Sequence, residues 1–213
     1  IILTCDDSTN MSVDPGSQKV AYISCEVENP TVHVITVQVT VQGGVLSTVA
    51  PNDFTINRGS SWTFSVTYGG NIDTRSGAHE SRIDAVITKV NSVNYPGNPE
   101  SYDVLINVNE YIDCQYELEH QLLIVNAGSP IVVSSKIDCY ANNDFTKEFE
   151  ILMIDRDSES ESLPTGFEYK QKNCLIENSP DENIVSKKCK FEISTPIYLL
   201  RTLDSCIIIV EVG

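Results

Sequence analysis

One arrangement of residues occurs twice in this chain, and it limits the possible folds more than any other feature. The first copy runs Cys5, Gly16-Ser17, Ile23-Ser24-Cys25, Asn29. The second runs Cys114, Gly128-Ser129, Ile137-Asp138-Cys139, Asn142-Asn143. Each copy sets a cysteine on a short opening segment, then a Gly-Ser turn, then a β-rich run that carries a second cysteine. A repeat of this length means two related domains in tandem, each with its own core. The boundaries follow as 1–110 for the first domain and 111–213 for the second.

The segments inside each copy read as strands. Phe64, Val66 and Tyr68 follow Trp62 at every second position, with Thr63, Ser65 and Thr67 between them. That is the period of a half-buried strand, apolar inward and hydroxyl outward. Ile35–Val41 alternates in the same way. Val20–Val27, Arg82–Val90 and Tyr102–Val108 complete the first domain. In the second, the strands are expected at Leu122–Val125, Ile131–Tyr140, Lys147–Ile154, Phe167–Ile176, Lys188–Ser194 and Tyr198–Val212. Clusters such as Asp14-Pro15-Gly16 and Tyr95-Pro96-Gly97-Asn98-Pro99 break the chain between them. Short strands at regular spacing, with no long helical period, give an all-β fold of two tandem β-sandwiches. Two registers of the last segment remain open. In one, Leu203-Asp204 corresponds to Ile83-Asp84 and the second domain lacks a final strand; in the other, Cys206–Val212 is that strand.

Charge excludes some partners. The chain carries a formal net charge of -16. Acids outnumber bases by 12 to 5 over residues 1–110 and by 18 to 9 over residues 111–213. Nucleic-acid binding depends on Lys and Arg neutralising phosphates, so it is not expected here. Anionic membrane surfaces are disfavoured for the same reason. No apolar run is long enough to span a bilayer, so direct membrane insertion is not expected, and an anchor is expected beyond Gly213. The start of the chain does not read as a signal peptide. Together with the cysteines, this points to a mature ectodomain.

Seven cysteines are many for a cytosolic chain of this size. They form no CxxC and accompany no His pair, so disulfides are expected rather than zinc. His33, His79 and His120 stand apart and read as ordinary surface histidines. No GxSxG elbow is present, and no carboxylate pair can be singled out from so many acids. The chain is therefore read as non-enzymatic, with no cofactor. Asp155-Arg156-Asp157-Ser158-Glu159-Ser160-Glu161 offers alternating acids, as a calcium loop does. It lacks the EF-hand spacing and turn glycine, so a solvated loop without metal is expected. Arg58-Gly59-Ser60 reads as a turn. Asn10-Met11-Ser12 is an N-glycosylation sequon at Asn10.

The chain resembles the tandem immunoglobulin-like or fibronectin-like modules of cell-surface receptors, and among them the divergent ectodomains of invertebrate allorecognition and adhesion receptors. The resemblance covers the whole chain as architecture and transfers no binding residue. Immunoglobulin domains join cysteines on strands B and F around a Trp on strand C. Here Arg82–Val90 contains no cysteine and Trp62 lies too far past Cys25. Ile83-Asp84-Ala85 is a loose match to the Asp-x-Ala of an F strand. Cys5 is therefore expected to pair with Cys25, and Cys114 with Cys139. Cys189 and Cys206 both sit on expected strands and are expected to form the third bridge, leaving Cys174 free.

The resemblance implies an extracellular, cell-surface recognition or adhesion ectodomain. Its partner would be another protein, with a second copy bound through the first domain as the preferred case. A structural stalk, or an accessory domain pair of a secreted enzyme, are the alternatives. The first domain is the expected binding unit because its strand faces are rich in Thr, Ser and Gln, which are cheaper to desolvate than carboxylates. Ser65 on such a face and Tyr95 in the loop Asn91–Glu100 are the expected contact residues. The loop expected over Gly69–Glu80 is a second candidate reader of partners.

Overall fold

A computed structural model describes residues 1–118, 126–155, 161, 163–179, 182–196 and 205–212. The chain divides into two compact units, Ile1–Tyr111 and Ile112–Gly213. Both are built from β-sheets alone among the described residues.

The first unit contains β1 (Ile2–Cys5), β2 (Ser8–Met11), β3 (Val20–Glu28), β4 (Ile35–Gln42), β5 (Ser47–Val49), β6 (Phe54–Ile56), β7 (Ser61–Gly69), β8 (Gly77–Val90), β9 (Val93–Asn94) and β10 (Pro99–Val108). One sheet has the order β1-β3-β7-β5. The other runs β2-β10-β8-β4-β6, with β9 added on β8. All pairings are antiparallel except β2 with β10, which is parallel. Alternation builds the core between the sheets. Ala21, Ile23, Cys25 and Val27 of β3 face Val37, Ile83, Ala85 and Ile106 across it. Tyr68 is fully buried, and its hydroxyl lies 2.9 Å from the Ser81 hydroxyl, which gives the polar tip a partner.

The second unit contains β11 (Ile112–Leu118), β12 (Ile131–Ala141), β13 (Thr146–Asp155), β14 (Glu168–Gln171), β15 (Asn173–Glu177), β16 (Ile184–Ser194) and β17 (Ser205–Val212). Its sheets have the orders β11-β12-β16-β14 and β15-β13-β17. Ile137, Phe149, Ile151, Phe191 and Ile193 form its centre. Among the described residues, its seven strands repeat the order of seven strands of the first unit, and β2, β9 and β10 have no counterpart. β11, β12, β16 and β14 take the places of β1, β3, β7 and β5. β15, β13 and β17 take those of β6, β4 and β8. The open question of the last segment is thereby decided: β17 pairs with β13 as β8 pairs with β4, so it is not the final strand of the pattern.

Several expectations need correction. The strand expected over Phe167–Ile176 is two strands, and β14 and β15 belong to different sheets. The loop expected over Gly69–Glu80 is shorter, since β8 already begins at Gly77. Trp62 keeps the inward parity of β7, yet 47% of it is exposed: it is the second residue of the strand, and Phe54, at a ring separation of 5.8 Å, is the ring it stacks on. The expected strand at Leu122–Val125 lies outside the described residues.

The disulfides also differ from expectation in one place. Cys5 is bonded to Cys25, and Cys114 to Cys139, each pair directly opposed on neighbouring strands with a Cα separation of 4.0 Å. Cys189, however, is bonded to Cys174 and not to Cys206. Cys189 points into the core from β16, and β15 is the strand of the facing sheet that brings Cys174 to a Cα separation of 5.9 Å. The backbone of Cys206 lies two strands away from Cys174, across β13 and opposite Ile154.

Candidate protein-interaction site

The first unit presents three surfaces that bear on binding, and their chemistry differs. The outer face of the four-stranded sheet carries Ser24, Thr63, Ser65 and Thr67. Across it, Tyr22 pairs with Thr67, and Thr67 with Val49. Tyr22 is 57% exposed and Val49 is exposed beside it. Ser65 is opposite Ser24, and its hydroxyl lies 3.4 Å from the Ile23 carbonyl it donates to. The face is hydroxyl-rich and carries the exposed aromatic side chain of Tyr22.

The outer face of the second sheet is charged. Arg82 donates to Asp84 at 3.1 Å and to the Ser101 hydroxyl at 2.8 Å, while Ser101 donates to Asp84 at 2.5 Å. A shallow cleft of about 680 Å³ opens beside this triad, lined in part by Asp7, Gln42, Glu80, Arg82 and Asp103. Tyr102 donates to Asp7 at 2.7 Å, and this bond is the main cause that holds its phenol above the usual range.

The third surface is built from loops at one end of the sandwich. The segment joining β3 to β4 is fixed by Asn29, which is fully buried. Its amide nitrogen donates to the carbonyls of His33, Ile56 and Asn57, and its oxygen accepts from the Thr31 backbone. The β8–β9 hairpin turns through Asn91 and Ser92, both at positive φ (47° and 65°). Two successive left-handed residues make the turn that matches the twist of a hairpin, and Asn tolerates that conformation better than most residues. Asn91 also ties the hairpin to the β3–β4 segment. Its backbone N–H donates to the Val34 carbonyl at 2.8 Å, its side-chain oxygen accepts from Val34 N–H at 3.2 Å, and its amide lies 3.1 Å from His33 Nδ1. Beyond the hairpin, Tyr95 N–H donates to Thr88 and Gly97 N–H to Ile87. A Cβ at position 97 would meet the Ile87 carbonyl at 2.6 Å, so only glycine lets the loop lie this close to β8.

These anchored loops expose apolar side chains. Val32 is 76% exposed, Val93 70% and Tyr95 49%, and Val34 is also exposed. Residues 29–52 contain no Asp, Glu, Lys or Arg, and neither do residues 91–99. In a chain with 30 acids, these two segments supply no charge of their own; the turn carrying Arg58 lies beside them, since Gly59 N–H donates to the Thr31 carbonyl.

The sequence-derived residues fall as follows. Tyr95 is in the loop cluster. Ser65 is on the four-stranded sheet, so the structure does not bring the two onto one surface. Val32, Val34 and Val93 escaped sequence reading because valines next to a strand look like strand interior. Asn10 is exposed on β2, at the edge of its sheet, and Ser12 of its sequon accepts a bond from Asn109 at 2.9 Å. His33 contacts Asn91, and His79 bonds the Arg75 carbonyl at 2.8 Å. His120 lies outside the described residues, as does most of the acidic run Asp155–Glu161. Of that run, Glu161 bridges to Ile154 and lies 3.4 Å from Lys172. Among the described residues no group of three or more acids, His or Cys is placed to hold a metal, and no helix is long and apolar enough to cross a membrane.

No family model matches the chain, and no curated protein is similar to it. Solved structures of similar layout exist. One is a chaperone–tip adhesion subunit complex from the archaic chaperone-usher Csu pili of Acinetobacter baumannii, at 9% identity over 98% of this chain and 99% of that one, with a TM-score of 0.40. A protein of unknown function from Porphyromonas gingivalis matches at 10% identity over 91% and 83%, with a TM-score of 0.38. The calcium binding domain CBD12 of CALX1.1 matches at 10% over 92% and 76%, with a TM-score of 0.34. At these identities and scores, no property of those proteins is carried to this one.

Proposed function

We propose that this chain is an extracellular, non-enzymatic recognition module, and that its first unit binds another protein through the loop end formed by Val32, Val34, Val93 and Tyr95. The observation that carries the reading is the combination of exposure and rigidity there. Four apolar side chains are held out by loops whose backbones are bonded to one another, and the segments that carry them have no formal charge of their own. Interface cores are depleted in charge and enriched in aromatic anchors. Pre-ordered loops lose little freedom on binding, so more of the contact energy appears as affinity. Three disulfides fit a chain that folds in an oxidising compartment. A glycan at Asn10 would cover the β2 edge and leave the loop end open.

The preferred partner is a second copy displayed on an opposing surface. Closed two-fold pairs are the commonest assemblies. Two chains at -16 repel one another, so a single contact is expected at about micromolar strength or weaker. Dense display would make such a contact effective. The test is aggregation of beads coated densely with the chain. Tyr95→Arg and Val93→Asp should abolish clustering, while Ser65→Arg, on the other surface, should leave it intact. Loss of clustering with Ser65→Arg alone would move the site to the four-stranded sheet. No clustering and no ligand that senses any of the three variants would favour the stalk reading.

A further inference from the structure

The outer face of the first unit's second sheet sets the glycosylation sequon beside the cleft. β2 and β10 run parallel, with Asn10 opposite Asn107 and Ser8 opposite Leu105. Side chains alternate along each strand. Met11 is buried, so Asn10 points outward, and Leu105 and Asn107 point outward between the buried Val104, Ile106 and Val108. On the far side of β10, Ala78 is opposite Asn107, Glu80 opposite Leu105 and Arg82 opposite Asp103. Rows of side chains therefore cross this face. Asn10, Asn107 and Ala78 form one row, and Ser8, Leu105 and Glu80 the next. The row after that joins Asp103, Arg82 and Gln42. The cleft of about 680 Å³ is lined from the second and third of these rows, so it begins one row from Asn10. Strand spacing and rise put the Cα atoms of Asn10 and Leu105 about 8 Å apart.

We propose that the cleft receives the chain's own N-linked glycan, with the first N-acetylglucosamine units from Asn10 laid over Leu105 and their hydroxyls bonded at Asp103 and Arg82. Asn10 Nδ2 bonds C1 of the first sugar, displacing the diphosphate of an activated oligosaccharide donor and losing one proton. The chemistry of the cleft suits that occupant. Leu105 is 40% exposed between the polar Ser8 and Glu80, and offers an apolar surface to the C–H face of a sugar ring. Carboxylates accept bonds from sugar hydroxyls, while Arg82 and the Gln42 amide donate them. Clefts of about 300–1,000 Å³ with a few convergent polar groups are ordinary ligand sites. Tethering raises the effective concentration of the sugar, so contacts too weak to hold a free one become populated. The docked glycan would keep this charged face from partners. The inference rests on the proposed function only in requiring an extracellular chain, and no residue of the loop end takes part.

The test uses residues 1–213 secreted from a glycosylating host, beside an Asn10→Gln variant. Peptide mapping should find Asn10 occupied, and an unoccupied Asn10 would overturn the proposal. Nuclear Overhauser contacts should join the N-acetyl methyl groups of the first sugars to the Leu105 methyls. Release by an endoglycosidase needs the undocked state, so a contact held nine-tenths of the time slows it about tenfold. Leu105→Ser should restore the faster rate. Asp103→Ala, at an exposed position, should speed release too and serves if the first variant fails to fold. Absence of the contacts, with equal release from parent and variants, would overturn the proposal. So would contacts from the free disaccharide of N-acetylglucosamine to Leu105 in Asn10→Gln, with none from the tethered glycan in the parent. That result would assign the cleft to a carbohydrate on another molecule. Occupancy of Asn10 in the native protein bears separately on the extracellular reading, and bead clustering reads the loop end, so the failures are distinct.

Discussion

Tyr68 and Ser81 reach across the core of the first unit from opposite sheets, and their hydroxyls meet at 2.9 Å. Ser81 also lies 3.0 Å from the Gln42 carbonyl, to which it must donate. Its own proton is thus committed, and the Tyr68 hydroxyl is the donor between the two. Removing either end has different consequences. Tyr68→Phe deletes a donor and leaves Ser81 bonded to Gln42, so it should cost about 1 kcal/mol. Ser81→Ala strands a buried phenol and should cost about 1–3 kcal/mol. Urea unfolding of the two variants checks the order.

The same phenol makes the first unit sensitive to alkali. Burial is the main cause that raises the Tyr68 pKa above its ordinary value of 10.0. A group whose folded pKa is raised contributes stability that is fully present below its unfolded pKa and is lost as pH rises through the folded one. Stability should therefore fall above about pH 10, and Tyr68→Phe should lose less of it there than the parent does.

Asp138 should show the opposite sign in the second unit. Its bond from Lys136, at 2.7 Å, is the first cause that holds its carboxyl below the usual range, with Ser186 adding to it. Its contribution is present above the unfolded pKa and is lost as pH falls through the lower folded one. Carbon-detected titration should place the Asp138 midpoint below that of a free aspartate, and Lys136→Met should move it upward.

Peptide mapping without reduction should recover Cys174 linked to Cys189, and no peptide joining Cys189 to Cys206. The bridge spans 15 residues of sequence. In the chain-entropy account a loop of that length is worth about 3 kcal/mol, so a double alanine variant should destabilise the second unit by about that much.

Asn91 offers a test of the loop end itself. Replacing it with alanine removes the bonds to Val34 and His33 and puts a residue that disfavours positive φ into the turn. A loss of about 1–3 kcal/mol is expected, with weaker clustering of coated beads even at temperatures where the unit stays folded. Calcium, in turn, should not matter. The melting temperature should be the same with millimolar calcium and with chelator, and a rise of several degrees would point to ligands in the run at Asp155–Glu161.

Much of this fold is legible in the residues because several strands are half-buried and long. Ile23, Cys25 and Val27, or Phe64, Val66 and Tyr68, keep a strict period of two. Each such strand has one face on the core and the other in water. β1, β2, β5 and β6 span only three or four residues, too few to display a period. Phe167–Ile176 deceives for another reason. Phe167 and Tyr169 face the core at odd positions and Cys174 and Ile176 at even ones, so the alternation changes phase across Gln171-Lys172, where the chain changes sheets; with only two inward positions on either side, the shift is easily read as one strand. That change of sheet brings Cys174 over Cys189, so the misassigned strand and the misassigned bridge share one cause. At the candidate site, Tyr95 was visible as an aromatic residue among turn formers. The valines around it became meaningful only once Asn29 and Asn91 were seen to pin their loops together.

The one parallel pairing in the first unit bears on how that unit carries load. β2 follows the stapled β1, near where the chain enters the unit, and β10 lies close to where it leaves. They run side by side from Ser8 opposite Leu105 to Met11 opposite Val108. Tension applied to the two ends of the unit drags these strands in opposite directions along their length. Their bonds are then sheared together instead of being opened one after another. Cys5, joined to Cys25, passes part of that pull sideways into β3 before it reaches β2.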